Sequence, residues 1–140
     1  MFITLAMHHY TSKHIDAVRN ALIANMIRFG WCRFAEAKTH GRKLTSYANH
    51  DAVSLSIYGF ILRTKFDLQN NTFEIIDYNA YTELFSHLTQ ILEDLIYNTH
   101  SDQLENSSTI INIFNDRICK SKETVVALFT EALKCLKPSN

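Results

Sequence analysis

Between residues 80 and 98 the apolar side chains Tyr81, Leu84, Phe85, Leu88, Ile91, Leu92, Leu95 and Ile96 recur at steps of three and four. With 3.6 residues to a turn, that spacing puts all eight on one stripe of an α-helix, and a stripe this wide is stable only when other elements cover it. The same period appears three more times. Ile15, Val18, Leu22, Met26 and Phe29 predict a helix over residues 13–29. Thr11 or Ser12 would cap it through a hydroxyl that accepts a free backbone N–H, and Gly30 would close it in a left-handed conformation. Val53, Ile57, Phe60 and Ile61, with Leu55, Tyr58 and Leu62 on a second stripe, predict a helix over residues 52–64 capped by Asn49 or Asp51. Being apolar on two sides, it is expected at the centre of the fold. Gly59 in its middle costs about 1 kcal/mol relative to Ala, which points to close approach of a neighbouring helix. Val125, Leu128, Phe129, Ala132, Leu133 and Leu136 predict a last helix over residues 122–136, capped by Ser121 and stopped by Pro138. Asp77 or Asn79 is placed to cap the helix over 80–98.

Three glycines and one proline leave little punctuation between these helices, so few tight turns are expected. Residues 33–37 and 43–47 fit a short hairpin around His40-Gly41. Residues 65–77 fit a second, in which Phe66 and Leu68 alternate with polar residues, Asn70-Asn71 turns the chain and residues 73–76 are β-prone. Residues 100–108 read as a polar loop, and residues 110–114 as a short apolar patch ended by Asn115-Asp116. The expected fold is mainly α: one domain over residues 1–140, a compact bundle of four to five helices with one or two short β-hairpins or extended loops.

Fourteen basic and fourteen acidic residues give a formal net charge of zero. Such a chain has no bulk attraction for nucleic acid or for an anionic membrane, and it self-associates more readily than a charged one. No run of apolar residues has the length of a membrane span, and the run at residues 1–7 is too short for a signal-peptide core. Cys32, Cys119 and Cys135 are widely spaced and odd in number, as in reduced, cytoplasmic proteins. Asn70-Asn71-Thr72 and Asn106-Ser107-Ser108 match a glycosylation acceptor pattern and are read as turn chemistry.

The sequence contains no nucleophile elbow, no phosphate-binding loop and no dinucleotide fingerprint. Seven histidines are present, among them the adjacent pair His8-His9, but none stands at metal-ligand spacing, so neither a metal nor a cofactor is expected. Cys32 would need a basic neighbour to act as a nucleophile and is read as a half-buried thiol. Glu93-Asp94 reads as a solvated pair on an exposed helix face. Three functional readings follow. The wide apolar stripes exceed what 140 residues can cover, which favours a small non-enzymatic protein-interaction module acting on a protein partner or on itself. The alternative is a ligand-binding or enzymatic pocket built from Trp31, His50, Asn115 and Asp116, which requires that the four converge in one cleft. The third places single-stranded nucleic acid on Arg28, Arg33, Lys38, Arg42 and Lys43, interleaved with Trp31, Phe34 and Tyr47; the neutral charge of the chain argues against it and for a solvated loop face.

Phe29-Gly30-Trp31, Asp51-Ala52-Val53, Tyr58-Gly59-Phe60-Ile61-Leu62, Ile113-Phe114-Asn115-Asp116 and the stretch from Glu123 through Phe129 follow one another in that order. In this the chain resembles, over nearly its whole length, a family of small uncharacterised bacterial and phage proteins. That family has Gly-Trp after a first helix, a central helix of the Trp-Cys-Ala-Leu-Gly-Ala-Leu type, and Trp-Asn-Asp before a last helix. Leu55-Ser56 stands here in place of Trp-Cys, Phe114 in place of the second Trp, and residues 65–77 read as an insertion. The resemblance implies a compact helical fold and shared positions at Trp31, Asn115 and Asp116. It implies no activity. The Asn- and Lys-rich composition fits an AT-rich bacterial or phage genome.

Overall fold

An extended stretch ends at Thr11, where the first helix begins. The computed structural model describes residues 9–104 and 109–139; the apolar run at 1–7, His8 and the Asn106-Ser107-Ser108 match lie outside the described residues. Helix α1 (Ser12–Arg28) buries Ile15, Val18, Leu22 and Met26, the expected stripe. The Thr11 N–H donates to His14 Nδ1 at 3.0 Å, so Nε2 of that ring carries the proton and donates to Asp77 Oδ1 at 2.9 Å. Gly30 does not close this helix. Phe29 is already extended (φ −106°, ψ 146°), and the chain runs straight from it into a strand.

Four short strands follow: β1 (Gly30–Trp31), β2 (Ala37–Thr39), β3 (Leu44–Thr45) and β4 (Ala52–Leu55). Their order is β1-β4-β2-β3, with β1 parallel to β4 and β2 antiparallel to both of its neighbours. Register sorts the side chains into two faces, because residues paired across a sheet point the same way. Trp31, Leu55, Ala37 and Thr45 form one row, of which Leu55 and Ala37 are fully buried. Gly30, Ser54, Lys38 and Leu44 form the row on the other face. The first expected hairpin is present as β2–β3, shorter and later than residues 33–37 and 43–47.

Residues 52–55 are a strand and not the start of the second helix. The apolar spacing there covers only four residues, too few to tell a period of 2 from one of 3.6. Asn49 and Asp51 shape the preceding turn, Asn49 Oδ1 accepting the Asp51 N–H at 2.8 Å. The cap is Ser56, whose Oγ accepts the Gly59 N–H at 3.0 Å, and helix α2 spans Ile57–Asn70. The second expected hairpin is therefore absent: residues 65–70 stay helical. Arg63 and Asp67 pair at 3.0 Å one turn apart, and buried Asn25 of α1 donates to Thr64 Oγ1 and Asp67 Oδ2, holding that turn against α1. Asn70-Asn71 does turn the chain, but between two helices. The close approach at Gly59 is to backbone, not to a helix: a Cβ there would lie 2.3 Å from the Glu36 carbonyl oxygen, which accepts the Ser56 N–H at 2.9 Å.

Helix α3 (Ile75–His100) begins five residues before its expected start, with Glu74 rather than Asp77 or Asn79 at the cap position. It buries Ala80, Leu84, Phe85, Leu88, Leu92 and Ile96. A 3-10 turn (Ser101–Gln103) follows, then α4 (Ile110–Ile113) and α5 (Lys122–Cys135). Ser121 caps α5, its Oγ accepting the Thr124 N–H at 3.2 Å. Helix α3 packs against α1, α2, α4 and α5, whereas α2 packs against α1, α3, α4 and β4. The longest helix thus shares the centre of the core with the helix carrying Gly59, whose Phe60 also packs edge-on against Phe129 of α5. Tyr58 on the second stripe of α2 points outward. The chain is mainly helical, and no helix among the described residues is long and apolar enough to cross a membrane.

Candidate functional site

The short α4 runs into a wider turn, Phe114–Ile118, in which the Cys119 N–H reaches back five residues to the Phe114 carbonyl at 2.7 Å. This π-type turn carries one residue more than an α-turn and redirects the side chains at its start. Asn115 is aimed inward and is 1% exposed. Its Oδ1 accepts from Trp31 Nε1 at 2.7 Å and from the Ile57 N–H at 2.9 Å. Its Nδ2 donates to the Cys32 carbonyl at 3.1 Å and to Asp116 Oδ1 at 2.8 Å. An indole and a backbone N–H can only donate, and a carbonyl can only accept, so the partners themselves fix the orientation of the amide. One side chain ties together β1, the first turn of α2 and the π-turn.

Asp116 extends that tie outward. The same Oδ1 accepts the Phe34 N–H at 2.8 Å. Phe34 has φ 61°, a left-handed backbone that bulky residues rarely take, and its side chain is 66% exposed. Next to it, Arg33 donates to the Cys119 carbonyl and lays its guanidinium over the Trp31 ring at 5.3 Å, while its Nε is buried without a partner.

Trp31, Arg33 and Phe34 form one wall of an open cleft of about 570 Å³, with Asn115 and Asp116 bonded to that wall from behind. Ser54 and Lys38, paired across β4 and β2, lie on its sheet side, the β2–β3 turn adds His40 and Arg42, and Lys120 closes it beyond the π-turn. Four cationic side chains, Arg33, Lys38, Arg42 and Lys120, thus face one concavity, and no carboxylate is among the described residues that line it. Cys32 also lines the cleft. Burial pushes its thiol up, the Ser54 hydrogen bond and Lys38 pull it down, and Asp116 pushes it up again. Burial likewise raises Cys119, against a bond to the Ser121 backbone and the charge of Arg33. Both thiols are therefore protonated at neutral pH and are poor nucleophiles. No group of three or more His, Cys, Asp or Glu side chains among the described residues is placed to hold a metal ion.

Of the four residues expected to share a pocket, Trp31, Asn115 and Asp116 meet, and His50 does not. It lies on the turn before β4 with its side chain 91% exposed, 3.2 Å from Asp51. Of the three that meet, only Trp31 lines the cleft; Asn115 and Asp116 stand behind its wall and hold Trp31 and the Phe34 backbone in place. Of the basic stretch, Arg33, Lys38 and Arg42 line the cleft. Arg28 instead lies over the Phe29 ring at 4.8 Å, Lys43 is outside the lining, and Tyr47 packs edge-on against Phe66. Lys120 is far from that stretch in sequence, and no spacing rule links them; Arg33 reaching the Cys119 carbonyl is what brings it in. Ser54 was hidden by the helical reading of residues 52–55. Apart from the cleft, Phe73, Ile75 and Ile76 are exposed at the corner between α2 and α3.

Set against known proteins, the chain matches no family model, no curated protein and no solved structure.

Proposed function

We propose that this protein is a non-catalytic binding module that takes a phosphate-bearing ligand in the cleft between Arg33, Lys38, Arg42 and Lys120. The observation that carries the reading is the segregation of charge. A chain of net charge zero gathers four cations around one concavity whose lining, among the described residues, includes no carboxylate. A concave site lined by one sign of charge focuses its field locally, even where the whole molecule exerts none at a distance. Lysine and arginine donors converging in this way suit phosphate oxygens. The protonated Cys32 and the fully bonded Asn115 supply neither a nucleophile nor a base, which favours binding over turnover.

Isothermal titration with pyrophosphate at low salt tests this. The wild type is expected to bind. Lys38→Gln combined with Arg42→Gly is expected to weaken binding at least tenfold; glycine suits Arg42 because its φ is 63°. Absence of heat with the wild-type protein would remove the proposal.

The protein-interaction reading keeps one observation in its favour: Phe73, Ile75 and Ile76 are 99%, 71% and 68% exposed at a single corner. Sedimentation over a hundredfold concentration range tests it as self-association. A dimer that Ile75→Lys dissociates supports it, and a monomer throughout removes it.

A further inference from the structure

We infer that the ligand of the cleft carries a nucleobase as well as a phosphate: a nucleotide unit places its phosphate among Lys38, Arg42 and Lys120 and lays its base on the ring of Phe34. This rests on the cleft reading above and adds a second recognition element to it. A basic cleft alone needs no aromatic side chain. Here one stands on the rim, and the backbone goes out of its way to hold it there. Phe34 has φ 61°, which is unfavourable for any residue with a Cβ and most of all for a bulky one. The Asp116 carboxylate accepts its N–H at 2.8 Å and pins that conformation. Glycine would satisfy such a backbone without strain. A phenylalanine that is two-thirds exposed gains little from the core. Backbone held in a disfavoured region by surrounding structure is characteristic of sites where a side chain must be presented.

The neighbouring aromatic is not available in the same way. Trp31 has its indole N–H on Asn115 and its face covered by the Arg33 guanidinium, whereas no ring or guanidinium among the described residues is stacked on Phe34. An open aromatic face beside cations that track a phosphate is the arrangement by which proteins hold nucleotides without reading their sequence. The cleft volume of about 570 Å³ is within the range of small-molecule sites. Base and phosphate can come from a free nucleotide or from a single strand, and the test separates the two.

Anisotropy of a fluorescein-labelled ten-residue oligothymidylate, with competition by thymidine monophosphate, ribose 5-phosphate and pyrophosphate, measures both elements. The variants are Phe34→Gly, which removes the ring and the backbone strain together and so should melt no lower than wild type, and Phe34→Tyr. Stacking on an aromatic is worth about 1–3 kcal/mol, or roughly 5- to 150-fold in affinity. Phe34→Gly is expected to weaken thymidine monophosphate and the oligonucleotide by a factor in that range and to leave ribose 5-phosphate and pyrophosphate within twofold. Phe34→Tyr should bind like wild type. An oligonucleotide that binds tighter than the mononucleotide, with salt-sensitive affinity, identifies a strand as the source; equal affinities identify the free nucleotide. If ribose 5-phosphate matches thymidine monophosphate and Phe34→Gly alters neither, the base platform is refuted while the phosphate cleft stands. A phosphoserine peptide that outcompetes every nucleotide also refutes it. If none of the probes binds the wild type, the cleft reading fails first and the inference with it.

Discussion

Asn115 is the residue on which the cleft depends. Its four hydrogen bonds use its full capacity, and those to the Ile57 N–H and the Cys32 carbonyl are buried. Asn115→Ala would orphan the Trp31 indole, the Ile57 N–H and the Cys32 carbonyl at once. A buried polar group left unpaired costs about 1–3 kcal/mol, and some of the three will recover water, so the expected loss is about 2–4 kcal/mol. Urea denaturation followed by Trp31 fluorescence checks it, and a loss under 1 kcal/mol would show that Asn115 does not join the three segments. The Asn115-Asp116 pair was legible in the sequence because two short polar side chains directly after an apolar turn are unusual. Trp31 was legible as the sole tryptophan beside a helix end. His50 stands apart because the helix expected to begin beside it starts only after Ser56, six residues on, which leaves His50 on an exposed turn.

At the level of elements, hydrophobic period gave α1 and α5 with little error and the buried stripe of α3, though not its start five residues earlier, because each stripe spans several turns. It failed where the run was short. Residues 52–55 alternate into a sheet as readily as they fit a helix, so the β4–α2 junction was misplaced and Ser54 with it. The second hairpin was expected because Phe66 and Leu68 alternate with polar neighbours; what keeps them helical is the pairing of Arg63 with Asp67 one turn on, together with the bonds from Asn25 to Thr64 and Asp67, which reach across the fold and lie outside any local window. Gly59 was recognised as a close-approach position, and the partner was not: a carbonyl on the segment entering β2 in place of a helix. That difference makes a prediction. On helix propensity alone Gly59→Ala would stabilise by about 1 kcal/mol. With a Cβ 2.3 Å from the Glu36 oxygen, which backbone hydrogen bonding holds in place, it should instead destabilise by about 2 kcal/mol or more. Thermal and urea melts of the single variant decide the sign.

For the molecule as a whole, charge and protonation are the levers. Burial raises Cys32 and Cys119 above their ordinary 9.0, and Tyr10 and Tyr81 above 10.0, with Glu83 and Asp77 adding to the two tyrosines. In each case the fold disfavours the ionised form, so above the ordinary value the unfolded chain gives up protons that the native chain keeps. Their contribution is intact below pH 9 and is lost as pH rises through the thiol range and then the tyrosine range. Urea midpoints at pH 7.5, 9 and 10.5 should fall in that order; a flat profile would mean that these groups stay as solvated in the fold as outside it. Net neutrality was readable from composition, but its partition was not. The cations of the cleft come from the segment after β1, the β2–β3 hairpin and the segment after the π-turn, and only the fold sums them.

The most direct measurement of the central claim is an amide chemical-shift titration of the ¹⁵N-labelled protein with pyrophosphate at low ionic strength. Saturable shifts should cluster at residues 31–42, 53–54 and 116–121, and should shrink as salt is added. Shifts confined to the α2–α3 corner around Phe73, Ile75 and Ile76, or none at all at millimolar ligand, would contradict the assignment of the cleft as the binding site.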